Sequence, residues 1–377
     1  MRVRRVVLDN FRSYERLELR LDAGTTALVG SNGAGKTNVV EAIHLVARGE
    51  SPRTTNDAEM VRWNAPVGRV GVEITRAEDQ DELVEAVLIA PSLGERRRPR
   101  RWLVGGAAKR AEDAIGQLAI VGFFPEDVLL MAGAPVARRR YLDAMVAQAD
   151  RRHRVETREY QKVLEQRNAL LRALRESGQP TEKARRSGEL AFWNDSLIRV
   201  GASITERRMR AVAELTEPFQ KAGVALCAGP ALDLTYAGQV NETDLAGLMR
   251  GYAELIETKG EREIWQGVTL VGPQREDVRV TGDGRELPSF ASRGEHRSAI
   301  LALKLAEAEW LTAHIGERPV FLLDDVLSEL DPVRRTSLVR ALPEDAQVIV
   351  TAALPVGLPP ILVERASVRQ VTPGMVE

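Results

Sequence analysis

The chain has 377 residues, 44% of them hydrophobic, with 53 Lys and Arg against 54 Asp and Glu and a net charge of −1. That length holds two domains and a large core, and the charge balance excludes a globally basic nucleic-acid binder, so any polyanion surface must be a local patch. A lone cysteine, Cys227, excludes a disulfide scaffold and a cysteine metal site, and the histidines at 44, 153, 296 and 314 lack ligand spacing. No apolar run approaches a membrane span or a signal segment, so a soluble cytoplasmic protein is expected.

In chain order, Val3–Leu8 and Ala27–Val29 read as short strands, and the apolar run Val39–Val46 begins a helix. Between the second strand and that helix lies Gly30-Ser31-Asn32-Gly33-Ala34-Gly35-Lys36-Thr37, followed by Asn38. A glycine-rich turn here directs successive backbone N–H groups inward, where they and the positive helix end hold phosphate oxygens. Lys36 reaches the β- and γ-phosphates, and the Thr37 hydroxyl is a ligand for Mg²⁺. Further on, Arg96, Arg97, Arg98, Arg100 and Arg101 fill five of six positions. They are either a solvated hairpin tip or a patch whose planar forks match phosphate oxygens.

From Val136 to Ser177 apolar residues recur near helical spacing, Ser177–Pro180 interrupts them, and a second stretch runs from Leu190 to Phe219. Two helices of about 60 Å each, joined by a short turn, form an antiparallel arm; the same stretches also suit core helices of an ordinary helical domain. Arg138, Arg139, Arg140, Arg151, Arg152, Arg185, Arg186, Arg207 and Arg208 lie on this arm or its root. Some form the solvated face, while two such arms side by side make a basic cleft that attracts duplex backbone. Nothing suggests base reading, and aromatic residues for stacking single strands are sparse at 5%.

Ser292-Arg293-Gly294-Glu295 heads the helical stretch Ala299–Leu311. Its serine is either an ordinary helix cap or a γ-phosphate ligand aided by free N–H groups. Val320–Leu323 then reads as a buried strand ending in Asp324 and Asp325, nearly three hundred residues after the phosphate loop. Asp324 is placed to hold Mg²⁺ through water and Asp325 to orient or deprotonate the attacking water, so Lys36, Asp324 and Asp325 are the catalytic candidates. Ser328-Glu329-Leu330-Asp331 follows directly.

This order of motifs resembles the ABC-type ATPases, in which a serine–glycine signature of one subunit covers the ATP held by another. Within them the chain resembles the RecF family. The blocks Leu8–Tyr14, Phe123–Asp127, Gly133–Asp143, Gly272–Asp277, Ser292–Glu307 and Leu322–Asp331 carry the likeness in family order over nearly the whole chain. The resemblance implies an α/β fold: an ABC-type P-loop head made of 1–134 and 265–377, with an inserted, mainly helical antiparallel arm, lobe II, at 135–264. It implies ATP and Mg²⁺ as cofactors, with nucleotide contacts at Arg12, Ser292, Arg293, Gly294, Glu295, Ser328 and Asp331. It further implies a weak DNA-dependent ATPase that dimerises with ATP on duplex DNA at single-strand gaps, with RecR- and RecO-type partners and recombinase loading. Glu295 and His296 stand where glutamines are common in the family, and Gln274 and Glu276 where His and Asp are usual. Val348-Ile349-Val350-Thr351-Ala352 lacks the switch histidine of many ABC ATPases, so slow hydrolysis is expected. A non-hydrolysing ATP-gated scaffold and an ABC subunit of another system are the rival readings.

Overall fold

The computed structural model describes residues 1–76, 81–90, 100–178, 188–226, 229–354 and 358–377. Strands β1 (Arg2–Phe11) and β2 (Tyr14–Arg20) pair as a hairpin whose tight turn holds Asn10 and Arg12 at φ of 48° and 51°. Strand β3 (Thr25–Val29) then leads through the phosphate loop into α1 (Lys36–Arg48). Strands β4 (Val67–Thr75), β5 (Asp81–Ile89), β6 (Arg101–Val104) and β7 (Ala107–Lys109) extend the hairpin to a six-stranded antiparallel sheet of order β2-β1-β4-β5-β6-β7. One face alternates into a core with α1, where Leu8, Val70, Val72 and Ala86 meet Val39, Ile43 and Val46. The other face is solvated.

After β8 (Ile120–Phe123), the expected arm begins with α2 (Pro135–Ala149), α3 (Arg151–Glu176) and α4 (Gly188–Ala225). The first stretch is therefore two helices rather than one. Asp150 takes extended dihedrals between them, and its carboxylate accepts from the N–H groups of Arg152 (2.8 Å) and His153 (3.2 Å), starting a new helix. Helix α3, of 26 residues, is about 39 Å long and not about 60 Å, whereas α4, of 38 residues, reaches about 57 Å. Strand β9 (Leu232–Ala237) and α5 (Leu245–Gln266) follow. Helix α5 closes the pair into three helices around Tyr160, Val163, Leu197, Val200, Ile204, Leu248 and Tyr252. The two-helix expectation missed it because a hairpin leaves one apolar stripe of each helix uncovered.

Strands β10 (Asp277–Gly282) and β11 (Arg285–Glu286) complete a small sheet of order β11-β10-β9. Helix α6 (Arg293–Ile315), strand β12 (Val320–Leu323), helix α7 (Pro332–Ala341) and strands β13 (Val348–Ala352), β14 (Ala366–Thr372) and β15 (Met375–Val376) finish the chain. The main sheet has the order β15-β14-β3-β13-β12-β8, and its five strands from β14 to β8 are parallel. Burial on both faces explains why β8, β12 and β13 read as apolar runs. Register places the ends of β3, β13, β12 and β8 side by side, with Val29 opposite Ala352, Val350 opposite Leu323, and Leu323 opposite Phe123. The phosphate loop and the acid pair, far apart in sequence, thus leave one edge of one sheet.

Candidate nucleotide site

Between β3 and α1 the loop is shaped by steric necessity. A Cβ on Gly30 would stand 2.1 Å from the Val371 carbonyl oxygen, and Gly35 holds φ of 115°. Helix α1 begins at Gly35 with no side-chain cap, so its first N–H groups have no side chain competing for them. The Lys36 ammonium donates to the carbonyls of Gly30 (2.7 Å) and Ser31 (2.9 Å), curling back across the loop. Burial lowers its pKa, opposed by the nearby charges of Asp325 and Asp324. A buried cation behind exposed Ser31, Asn32 and Gly33 suits an anion.

Asp324, only 4% exposed, accepts at one oxygen, Oδ1, from the Thr37 hydroxyl (2.9 Å) and the Thr351 hydroxyl (2.8 Å). Burial pushes its pKa up, and Asp325 adds to this, while the two hydroxyls oppose it. Thr37 and Asp324 are hard oxygen donors, and Mg²⁺ at a nucleotide asks for one or two carboxylates beside the phosphates, so the pair fits that ion. No cluster of three or more acidic, His or Cys ligands occurs among the described residues. Asp325 is exposed and left-handed, at φ of 54°, and its N–H donates to the Thr351 oxygen at 2.9 Å. Thr351 therefore bridges both aspartates. The sequence showed only that no histidine stood there; the register of β12 against β13 decides what the threonine does.

Ser292 caps α6, and Glu295 reciprocates: Ser292 Oγ accepts from the Glu295 N–H at 3.3 Å, and the Ser292 N–H donates to the Glu295 carboxylate at 2.7 Å. Ser292 and Arg293 are exposed, and Gly294 and Glu295 partly so. Asp331 caps α7, and Arg334 joins the two helix starts by donating to Ser298 (2.8 Å) and Asp331 (2.7 Å). Ser328 donates to the Asp325 carbonyl at 2.7 Å, which ties this segment to the acid pair. Among the described residues, no hydrogen bond or ion pair connects Ser292–Glu295 with Gly30–Asn38.

Arg12, expected at the nucleotide, forms a double hydrogen bond with fully buried Glu41 of α1 (2.9 and 2.6 Å) and donates to the Glu59 carbonyl at 2.7 Å. Glu41 also accepts from Ser51 and, loosely, from Arg53 at 3.4 Å, while Arg53 reaches Asn38 at 3.3 Å. Sequence reading missed this acid. Its signal was a carboxylate one turn beyond Thr37 inside an apolar run.

The basic candidates divide. Arg96, Arg97 and Arg98 lie outside the described residues. Arg100 is held by both oxygens of Asp57 (2.7 and 2.6 Å), and Arg139 donates to the Glu276 carbonyl at 2.8 Å. Arg101 and Arg140 are exposed. The basic arm walls do not form from the described arginines. Arg138 pairs with Asp277, Arg151 with Asp113, Arg152 with Glu156, Arg207 with Asp150 and Glu156, and Arg208 with Asp143. Arg138, Arg207 and Arg208 are largely buried and would be costly unpaired, whereas Arg151 and Arg152 are exposed.

A phosphate loop and an acid-tipped strand of the same sheet, one strand removed, with a separate serine-capped helix and a helical insertion, define a P-loop ATPase head of the ABC type. The family model described as RecF/RecN/SMC N terminal domain matches residues 2–356. The chain belongs to the RecF family: it is 38% identical to the DNA replication and repair protein RecF of Roseiflexus castenholzii over 93% of each chain. It is 34% identical to the RecF of Geobacillus thermodenitrificans over 98% of each. A solved structure of the recombination mediator protein RecF with ATP, of the RecFOR pathway, matches at a TM-score of 0.88 and 26% identity, covering 100% of this chain and 96% of that one. An Smc head bound to the C-winged helix domain of ScpA shares the fold, at a TM-score of 0.55 and 14% identity over 100% and 96% of the two chains.

Proposed function

We propose that the chain is an ATP-gated DNA-binding protein of recombinational repair and replication restart, working as a dimer in the cytoplasm. Segments 1–134 and 265–377 act as the head and 135–264 as the arm. ATP binds at Gly30–Asn38, with Lys36 at the outer phosphates and Arg12, through Glu41, fixing the adjoining turn. Ser292, Arg293, Gly294 and Glu295 of a second copy, flanked by its Ser328 and Asp331, cover that nucleotide. The carrying observation is that this serine-capped helix start is exposed, braced by Arg334 and unconnected to the chain's own phosphate loop. A ligand shared by two surfaces stabilises only the associated state, so ATP drives dimerisation by mass action.

Mg²⁺, held through Thr37 and Asp324, neutralises charge on the phosphates. Asp325 orients the attacking water, and hydrolysis resets the dimer. A threonine at position 351 instead of a histidine favours slow turnover. The dimer acts on duplex DNA at single-strand gaps and assists recombinase loading with RecR- and RecO-type partners, a context supported by the relatives' names. The described helices include none long and apolar enough to cross a membrane, and the helical insertion and the family match argue against a membrane-coupled ABC role.

Light scattering with and without ATP and DNA tests the switch. Wild type is expected to dimerise with ATP, Lys36→Met to lose ATP binding, Ser292→Arg to bind ATP yet stay monomeric, and Asp325→Asn to remain trapped as dimer. A monomer under every condition would sink the reading. Thr351 also keeps the non-hydrolysing scaffold in view; single-turnover hydrolysis with duplex DNA separates the two, since a scaffold dimerises without cleaving ATP.

A further inference from the structure

The exposed face of the antiparallel sheet departs from the close charge pairing of the arm. Asp9 of β1 stands opposite Arg16 of β2 on one side and Arg69 of β4 on the other. Arg69 in turn stands opposite Val87 of β5, and Val87 opposite Arg101 of β6. Direct cross-strand partners share a face, so these five positions form one row. Arg110 follows Lys109, whose partner is Trp102, and so continues the row past the end of β7. The neighbouring positions Leu8, Leu17, Val70, Ala86 and Trp102 are buried, which turns the row to solvent, and Arg16, Arg69, Arg101 and Arg110 are all exposed.

Within the row Asp9 is the only carboxylate. Among the described residues the row makes one ion pair, a loose one of 3.6 Å between Arg69 and Glu85. Farther along the same face Glu18 and Glu73 are taken by Arg5, at 3.0 and 2.8 Å. At about 4.8 Å per strand, Arg16, Arg69 and Arg101 follow one another at about 10 Å, and the row to Arg110 spans about 24 Å. Like charges at that spacing repel, and Asp9 within the row and Glu85 beside it oppose them.

We propose that this row is a phosphate track for duplex DNA on the head, resting on the duplex-binding reading above. The ligand class follows from the chemistry. Planar guanidinium forks in a line match an extended array of phosphate oxygens, and about 24 Å of duplex carries roughly 14 backbone charges. Contacts from such a row to phosphate oxygens carry no sequence information, so binding is independent of sequence.

The test is anisotropy of a labelled duplex of about 30 base pairs, bound by the full-length protein with ATP between about 50 and 200 mM salt. Each lost phosphate contact flattens the log–log salt slope by about 0.9, so Arg16→Gln/Arg69→Gln/Arg101→Gln together should flatten it by about 2 to 3 and weaken binding at least tenfold. ATP affinity and thermal unfolding should stay at wild-type values. Arg101→Gln alone should flatten the slope by about 1, which keeps the test open if the triple variant misfolds. Arg250→Gln/Arg340→Gln, exposed arginines on other elements, should leave it unchanged. An unchanged slope in the row variants, or an equal loss in the control, overturns the track while duplex binding itself stands. Failure of wild type to bind duplex would instead remove the reading beneath it.

Discussion

Thr351 contributes one hydroxyl and uses it twice, donating to Asp324 and accepting from the Asp325 N–H. The second bond holds a non-glycine residue in the left-handed region, where Asp325 would not rest unaided. Removing a buried hydroxyl from such a pair costs about 1–3 kcal/mol, and each 1.4 kcal/mol is tenfold. Thr351→Val is therefore expected to slow single-turnover ATP hydrolysis by about tenfold or more with ATP affinity nearly unchanged. Thr351→Ser should restore most of the rate; equal rates in all three proteins would show that the bridge is idle. At this scale the sequence located Lys36 and Asp324, which residue type and local spacing mark as candidates. It was silent on Thr351 and Glu41, whose partners are brought by other elements.

Helix starts differ in how they are capped. Helices α3, α5 and α7 are capped by the carboxylates of Asp150, Asp244 and Asp331, whereas α1 has no side-chain cap. Helix α6 is intermediate: its capping box sets the Glu295 carboxylate at the helix N-terminus, and the hydrogen bond from the Ser292 N–H holds its pKa below the ordinary value. A negative charge there stabilises the free helix but repels an arriving phosphate. Glu295→Gln keeps the shape and removes the charge, so it should tighten ATP-dependent dimerisation by about 2- to 5-fold at low salt, read by light scattering. Weaker dimerisation would mean that the capping box is needed to present Ser292. The sequence marked this helix start, and only the neighbouring motifs favoured a ligand over an ordinary cap, because both use the same serine.

Across the molecule, long-range ion pairs join helices that are distant in sequence. Asp143 of α2 receives both Nε and one terminal nitrogen of Arg208 of α4 (2.8 and 2.7 Å), and Arg208 also donates to the Pro273 carbonyl at 2.8 Å. Burial pushes the Asp143 pKa up, but Arg208 and His153 hold it well below the carboxylate range. A depressed folded pKa means that this stabilisation is in place above about pH 4 and is lost as the pH falls below it. Asp143→Ala leaves Arg208 buried without its partner and should cost about 3–5 kcal/mol in urea unfolding. A cost below about 1 kcal/mol would show that Arg208 finds solvent or another acid.

By itself the sequence determined the glycine-rich loop, the acid-tipped strand, the helix start at Ser292 and the long helical stretches between them. Each is encoded by contiguous residues whose backbone preferences and side-chain chemistry act over a few positions. Tertiary structure alone decided that Asp150 divides the first arm stretch, that α5 makes the arm three helices, and that Arg138, Arg151, Arg152, Arg207 and Arg208 pair with acids. It also decided that Arg16, Arg69 and Arg101 fall in one row. Those outcomes depend on strand register and on charges brought together from distant segments, such as Asp143 and Arg208, and no local pattern carries that information.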